Sequence, residues 1–179
     1  MFVQHIHDRL TVRMLKTSDA EPLYQLIKQS KPYLRQWLPW IDDGVTLSYC
    51  EELIENNFLA HATRSSLTIG VFYDERIVGI VTFNKYNWRN RIGYIGYWLG
   101  EPYQGKGIMT ESVKALIQYG FTKLRLNRVE IHCATENIKS QAIPKRLGFK
   151  KEGHLREAEW LYDHFVDHFV YGLLTSDWQ

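Results

Sequence analysis

Residues 97–110, YWLGEPYQGKGIMT, lead from the end of a predicted strand, through a turn with two glycines, into a predicted helix. Gly105 and Gly107 remove side chains from this turn, so backbone N–H groups can approach a ligand closely. The helix that follows leaves its first N–H groups unpaired and carries a partial positive charge at that end. The stretch therefore predicts a binding site for phosphate oxygens, and a tight strand-to-helix connection is the alternative. It matches neither the dinucleotide-binding fingerprint nor the P-loop.

The sequence on either side alternates between segments with strand periodicity and segments with helix periodicity. The predicted strands cover residues 9–15, 66–73, 76–86, 91–99, 127–134, 149–157 and 163–174. Four helices are predicted. The first begins at Ser18 or Asp19, and the second begins at Thr46 or Ser48. The third covers residues 107–123, and the fourth ends at Leu147, before Gly148. This order predicts a mixed α/β fold around one sheet, in a single domain over residues 1–179, with a strand–helix–strand crossover at its centre.

Length and composition are typical of one globular domain. The 179 residues are 45% hydrophobic and 23% charged, which excludes intrinsic disorder. Two cysteines, Cys50 and Cys133, are too few for a disulfide-stapled scaffold, so we expect free thiols in the cytoplasm. A net charge of +2 does not indicate direct nucleic-acid binding, and no apolar run reaches the about 20 residues that span a bilayer.

Two further motifs follow the glycine turn. The first is Asn137-x-x-Ser140, and the second is residues 145–149, KRLGF. Together with residues 104–109, these motifs resemble those of the GNAT acetyltransferases, which bind acetyl-CoA. The finer resemblance is to the RimJ/RimL-type ribosomal-protein N-terminal acetyltransferases, including their YdaF-like members. It covers nearly the whole chain and is carried by residues 37–40 (WLPW), 97–107 (YWLGEPYQGKG) and 152–157 (EGHLRE).

The resemblance implies a GNAT fold, in which helices flank a mostly antiparallel, twisted sheet. It implies that acetyl-CoA is the cosubstrate, without a metal, and that an amine attacks it directly in a ternary complex, without an acyl-enzyme. The acceptor implied is the N-terminal α-amino group of a ribosomal protein, and the family is compatible with a homo-oligomer. The residues expected to bind the cofactor are Trp98, Leu99, Gln104, Gly105, Lys106, Gly107, Ile108, Met109, Thr110 and Asn137.

The resemblance also implies catalytic roles. The backbone N–H of Leu99, or one beside it, would donate to the thioester oxygen where this strand splays from its neighbour. Ser140 would protonate the departing thiolate, and a helix cap is the structural alternative for this serine. Glu159, or a chain of water molecules, would take the proton of the amine. Trp37 and Trp40 would form a wall of the acceptor site, with core packing as the alternative.

Two positions depart from the family pattern. Met109 stands where a small residue is usual, so we expect the helix to approach the cofactor less closely there. Pro144 would lie inside the last helix if Asn137 capped it, and an interior proline costs about 3 kcal/mol. We therefore expect this helix to begin near Ser140 or Gln141, with Pro144 in its first turn.

Two other functions stay open. The first is acetylation of a small amine, such as a polyamine or an antibiotic. The second is a non-catalytic module that binds acyl-CoA. His164 and His168 lie in a strand-like stretch, where residues four positions apart are separated by about 13 Å, so they do not predict a metal site. The carboxylates that would bind a polyamine are Asp42, Asp43, Glu51 and Glu52.

Overall fold

The structure is a computed structural model that describes residues 2–42 and 44–178. Within these residues, the helices are α1 (Ala20–Leu34), α2 (Leu47–Ala62), α3 (Ile108–Thr122) and α4 (Ile138–Arg146). The strands are β1 (Val3–His7), β2 (Leu10–Met14), β3 (Leu67–Tyr73), β4 (Arg76–Asn87), β5 (Ile92–Leu99), β6 (Arg128–Ala134), β7 (Lys150–Leu161) and β8 (His164–Leu174). None of these helices combines the length and apolar character needed to cross a membrane.

The eight strands form one sheet in the order β1-β2-β3-β4-β5-β6-β8-β7. Neighbouring strands are antiparallel except β5 and β6, which run parallel and are connected through α3. The predicted mixed α/β fold with a mostly antiparallel sheet and a central crossover is therefore confirmed. The sequence analysis missed β1, whose five residues include two histidines and a glutamine and depend on pairing with β2.

Helices pack against both faces of the sheet. On one face, α3 buries Val113, Leu116 and Ile117 against the central strands, at the spacing of one helix side. On the opposite face, α1 and α2 bury residues such as Leu23 and Ile54 against β3 and β4. The sheet therefore separates two cores, and a ligand that contacts both must pass between strands.

Such a passage exists between β5 and β6. Within the described residues, their ladder joins only residues 92–95 to residues 128–131. β5 continues to Leu99 and β6 continues to Ala134, so the two strands diverge over their last residues. The divergence leaves an opening in the middle of the sheet.

The helix α4 begins earlier than predicted. It starts at Ile138, and the Oδ1 atom of its N-cap, Asn137, accepts a hydrogen bond from the Ser140 N–H at 3.1 Å. The prediction of a start near Ser140 or Gln141 is wrong, because a side-chain cap at Asn137 stabilises the first turn. Ser140 is the third residue of the helix, so its interpretation as the helix cap is also wrong.

Pro144 consequently lies inside α4, and a distant side chain compensates for it. Proline has no N–H, so the carbonyl of Ser140, four residues earlier, loses its helical donor. The hydroxyl of Tyr97 on β5 donates to that carbonyl oxygen at 2.8 Å. This tertiary hydrogen bond offsets part of the cost that made an interior proline unexpected.

Candidate active site

A cavity of about 1500 Å³ passes through the opening between β5 and β6 and reaches both faces of the sheet. We call its two parts the loop half, beside the glycine turn, and the aromatic half, beside α1 and α2. The loop half is lined by Gln104, Gly105, Gly107, Ile108, Met109, Thr110, Asn137, Ser140 and Arg146. The aromatic half is lined by Trp37, Trp40, Tyr49, Tyr94, Trp98, Glu130, His132, Glu159 and His168.

The glycine turn leaves room for a ligand. Gly105 (φ +74°) and Gly107 (φ +76°) both have the left-handed backbone conformation that favours glycine. A Cβ atom at either position would meet no protein atom within 4 Å, so the space in front of the turn is open. Gly107 is the N-cap of α3, whose first N–H groups lack carbonyl partners within the helix. The turn therefore has the open space and the donors that a pyrophosphate requires.

Three predicted cofactor residues differ in how they meet this space. The side chain of Met109 is 5% exposed and packs in the core, so most of its bulk lies away from the cavity. Lys106 is outside the cavity lining of the described residues, and its Nζ lies 5.7 Å from the centre of the Tyr103 ring. Asn137 lines the cavity, but its side-chain oxygen already caps α4.

The helix α4 adds two basic side chains that the sequence analysis did not select. Lys139 Nζ donates to Gln104 Oε1 at 3.0 Å, and the Arg146 guanidinium donates to Thr110 Oγ1 at 3.2 Å. The first hydrogen bond joins α4 to the glycine turn and the second joins it to the first turn of α3, so both place positive charge beside the predicted phosphate site. The sequence could have indicated them through the helical spacing of α4, but the predicted start of that helix, near Ser140 or Gln141, was wrong.

The backbone of β5 directs one N–H group into the opening. The Gly100 N–H donates to the Val78 carbonyl of β4 at 2.8 Å. Because N–H groups alternate in direction along a strand, the N–H of Leu99 points away from β4 and toward the diverging β6. The Trp98 ring lies in the aromatic half, with its centre 6.4 Å from that of Trp40. Trp98 therefore lines the cavity on the side opposite the glycine turn.

Three side chains with dissociable protons meet where the cavity passes between the strands. Ser140 Oγ lies 3.4 Å from Tyr97 Oη and 3.4 Å from Cys133 Sγ. Burial raises the pKa of the Cys133 thiol and raises that of Tyr97 well above its usual value. Both groups therefore stay protonated at neutral pH, so this cluster can donate hydrogen bonds to an anion such as a thiolate. The sequence analysis identified Ser140 and the free, buried Cys133, but not Tyr97.

The aromatic half contains the predicted tryptophan wall. Trp37 and Trp40 both line it, and the ring of Trp40 is nearly parallel to that of Tyr49, at 25° with centres 6.2 Å apart. Trp40 and Tyr49 also pack against the core on this face of the sheet, so lining the cavity and packing on the core both describe Trp40.

The tip between β7 and β8 holds this wall in place. Tyr162 Oη lies 2.5 Å from the carbonyl oxygen of Leu38 and 2.8 Å from that of Ile41. The guanidinium of Arg35 lies 3.8 Å from the centre of the Tyr162 ring. The hairpin is therefore anchored across the entrance of the aromatic half.

Two pairs of ionisable side chains line the aromatic half. Glu159 Oε2 lies 3.4 Å from His168 Nε2, and Glu130 Oε2 lies 3.0 Å from His132 Nε2. The sequence analysis selected Glu159 and considered His168 only as a metal ligand. Glu130 and His132 lie on β6, whose pairing with β8 joins residues distant in the chain. A histidine in a strand gives no local signal of the cavity that it faces.

The carboxylates considered for a polyamine lie elsewhere. Of the described members, Asp42, Glu51 and Glu52 are outside the lining of this cavity, and Asp43 falls outside the described residues. Among residues 2–42 and 44–178, no group of three or more His, Cys, Asp or Glu side chains is placed to hold a metal ion. Glu130 and Glu159 line the aromatic half and are available to an acceptor amine, and Glu101 and Glu111 also line the cavity.

Comparison with known proteins identifies the class of enzyme to which this protein belongs. Residues 9–150 match the Acetyltransferase (GNAT) domain family. The chain therefore belongs to the GNAT acetyltransferases, which use acetyl-CoA as the acetyl donor. The family, the enzyme class and the cosubstrate predicted from the sequence are confirmed.

Similar proteins cover the whole chain. It is 34% identical to the "Putative ribosomal N-acetyltransferase YdaF" of Bacillus subtilis (strain 168), over 100% of this chain and 98% of that protein. The solved structure of RimL, a ribosomal L7/L12 alpha-N-protein acetyltransferase in complex with CoA, has a TM-score of 0.93 at 28% identity and covers 98% of this chain and 99% of that chain. The microcin C7 self-immunity acetyltransferase MccE, in complex with acetyl-CoA and AMP, has a TM-score of 0.89 at 34% identity over 94% of each chain. These relatives are named as enzymes, and they do not support a non-catalytic module.

Proposed function

We propose that this acetyltransferase modifies the N-terminal α-amino group of a ribosomal protein. The observation that carries the proposal is the end-to-end similarity to RimL, an α-N-protein acetyltransferase of ribosomal L7/L12. The aromatic half supports it, because Trp37 and Trp40 offer a wall along which an extended N-terminus can lie. The cytoplasmic location and the homo-oligomer stay predictions.

The loop half would bind acetyl-CoA. The backbone N–H groups from Gly105 to Thr110 would hold the pyrophosphate, with Gln104 and Ile108 at the sides of the turn. Lys139 and Arg146 lie within hydrogen-bonding distance of this turn and would add positive charge. Bound in this way, acetyl-CoA would have its acetyl group at the opening between β5 and β6.

In the proposed reaction, the neutral amine nitrogen attacks the thioester carbon, so that a C–N bond forms and the C–S bond breaks. The Leu99 N–H donates to the thioester oxygen as charge develops on it. Ser140 donates a proton to the departing sulfur, and Tyr97 holds Ser140 in position. Glu159 takes the proton that the ammonium group must lose before it can attack.

A relative supports this placement of the sulfur. The RimL structure contains a disulfide between CoA and one of the enzyme's own cysteines. In the present chain, Cys133 Sγ lies 3.4 Å from Ser140 Oγ, within the same cavity. We propose that the sulfur of CoA comes to lie beside this pair, where Ser140 can protonate it.

An α-amine suits this site better than a lysine side chain. An α-amino group has a pKa of about 7.7–8.0, so roughly a tenth of it is neutral at pH 7. A lysine amine, at about 10.4, requires roughly 3.4 kcal/mol more to lose its proton. The aromatic half offers Glu159 and its neighbours for this task, and none of them is a strong base.

The test is acetylation of a ribosomal-protein peptide that carries a free N-terminus and internal lysines. We expect mass spectrometry to locate the acetyl group on the N-terminus, and the same peptide with a blocked N-terminus to release no thiol from acetyl-CoA. Acetylation mainly on lysine would contradict the proposal.

Ser140→Ala tests the assigned acid. We expect turnover to fall by about 10²–10⁴-fold, the usual contribution of a general acid, while acetyl-CoA affinity stays nearly unchanged. Thermal melts should change little, because Asn137 and not Ser140 caps α4. A variant with normal turnover would remove Ser140 from the mechanism.

A small amine that carries a planar group is the second candidate acceptor. MccE was crystallised with AMP, and the rings of Trp40 and Tyr49 here are nearly parallel at 6.2 Å. A planar group between two rings needs about 7 Å, which is twice a carbon contact distance. If the rings of Trp40 and Tyr49 moved slightly apart, a planar group would fit between them. AMP that competes with the peptide acceptor would favour this candidate, and spermidine tests the polyamine alternative.

A further inference from the structure

The two Glu–His pairs of the aromatic half form a continuous row across three adjacent strands. Glu159 comes from β7, His168 from β8, and His132 and Glu130 from β6. The centres of the His132 and His168 rings are 6.5 Å apart. The side chains of Glu130 and His168 are 14% and 16% exposed, whereas Glu159 and His132 at 30% and 33% are in contact with solvent.

Strand pairing explains why these side chains share one face. Side chains alternate along a strand, so Glu130, His132 and Ala134 of β6 point the same way. His168 pairs with Ala134 and therefore joins that face. In β7 the register shifts between Leu155 and Glu159, which brings Glu159 beside His168.

We propose that His168 accepts the proton of the acceptor ammonium from Glu159, with His132 and Glu130 stabilising the imidazolium that results. The ammonium gives one proton to the Glu159 carboxylate, which passes it to His168 Nε2 and becomes anionic again. The neutral amine then attacks acetyl-CoA and gives its second proton to the Glu159 carboxylate, while the departing thiolate takes a proton from Ser140, which regains one from solvent. His168 acts through Glu159 and is therefore a positioning and relay residue.

The chemistry of the two side-chain types favours this relay. Carboxylic acids ordinarily titrate near pH 4.3 and imidazoles near 6.5, against about 7.7–8.0 for an α-ammonium. A carboxylate alone therefore accepts the proton about 3.5 pKa units uphill, whereas an imidazole accepts it about 1.3 units uphill. The relay therefore gives Glu159 a partner to which the proton of the ammonium can pass.

Charged groups of the neighbouring strands face the row. Arg128 Nε donates to Glu130 Oε1 at 2.8 Å, which holds this carboxylate in place on β6. The ring of Tyr94 on β5 has its centre 6.2 Å from that of His132, and Lys85 Nζ of β4 lies 4.6 Å from the centre of the Tyr94 ring. Arg128 and Lys85 are therefore the positive charges near the row, and each histidine has a carboxylate directly beside it.

The same two strands provide a matched control. His154 Nε2 lies 2.7 Å from Asp167 Oδ2, so this is a second histidine–carboxylate pair across β7 and β8. Asp167 precedes His168 and therefore points to the opposite face of the sheet. Among the described residues, neither His154 nor Asp167 lines the cavity.

The test compares the pH dependence of kcat/KM for wild type, His168→Gln and His154→Gln between pH 5.5 and 9. The acceptors are a peptide with a free N-terminus and, in parallel, spermidine, because the α-amine arithmetic rests on the proposed function. The free α-amine, with its pKa of about 7.7–8.0, gives every profile an inflection of its own, so the readout is the ratio of variant to wild type at each pH. We expect the kcat/KM of His168→Gln to fall at least tenfold below wild type at pH 7 and to recover toward wild type at pH 9. His154→Gln should keep the wild-type profile.

The outcomes separate the two proposals. Wild type that acetylates spermidine but not the peptide overturns the proposed acceptor and leaves the relay to be judged with spermidine. A ratio of His168→Gln to wild type that stays constant from pH 7 to pH 9 overturns the relay. NMR titration of the histidine rings in wild type, assigned with His168→Gln, tests the relay independently of turnover and of the variant's stability. A His168 ring that does not titrate between pH 5.5 and 8 also overturns the relay.

Discussion

The hydroxyl of Tyr97 donates a hydrogen bond to the carbonyl of Ser140. This carbonyl has no donor within the helix, because Pro144 lacks an N–H. The Tyr97 hydroxyl oxygen lies 2.8 Å from the Ser140 carbonyl oxygen and 3.4 Å from Ser140 Oγ. Tyr97→Phe removes the donor but keeps the ring. A buried acceptor that loses its partner costs about 1–3 kcal/mol. Each kcal/mol lowers Tm by about 2–4 °C in a domain of this size, so we expect a loss of about 2–12 °C.

A double-mutant cycle with Pro144→Ala tests the physical reason. Alanine restores an N–H that can donate to the Ser140 carbonyl, so Tyr97→Phe should cost about 1 kcal/mol less in that background. The assay is urea unfolding of the four proteins, with acetyl-transfer rates measured on each. Tyr162→Phe, whose hydroxyl contacts the carbonyls of residues 38 and 41, is the control and should be additive with Pro144→Ala. If the Tyr97 and Pro144 effects add within about 0.5 kcal/mol, the compensation argument is refuted.

Three further predictions concern the cavity. At a hundredfold excess over its Kd, acetyl-CoA should stabilise wild type by about 2.7 kcal/mol in thermal melts. Gly107→Asp should abolish this shift, whereas Gly148→Asp, at a similar φ of +80° outside the described lining, should keep it. Gly79→Ala should lower kcat, because the added methyl group would collide with the Trp98 carbonyl oxygen and displace the backbone at Leu99. Gly153→Ala is the control and should leave kcat unchanged, because the nearest atom to its methyl group would be 3.8 Å away. Tyr162→Phe should raise KM for the acceptor but leave Kd for acetyl-CoA unchanged, and a parallel change in both would contradict its role as an anchor of the aromatic half.

Local sequence was sufficient for the crossover and the glycine turn. Gly105 and Gly107 indicate a turn that needs positive φ, and the apolar spacing of Val113, Leu116 and Ile117 indicates the helix after it. These features depend on residues close together in the chain, so propensity and periodicity describe them well. The same holds for the turn at Gly148, which ends α4.

The start of α4 shows where local reasoning failed. An interior proline is unfavourable by local rules, which is why the helix was expected to begin near Ser140. The Asn137 cap and the hydroxyl of Tyr97, 43 positions away in the sequence, change that balance. Neither the propensity of Pro144 nor its neighbours contain this information.

The sequence by itself therefore determined the class of fold, the turn for acetyl-CoA, and Ser140 and Glu159 as candidates. Only the tertiary structure decided that β5 and β6 diverge, that the Leu99 N–H points into the opening, and that His168 lies beside Glu159. Turns and helix starts are set by interactions between residues near in sequence. The aromatic half is set by strand register, which joins residues far apart in the chain and turns a whole set of side chains toward one face.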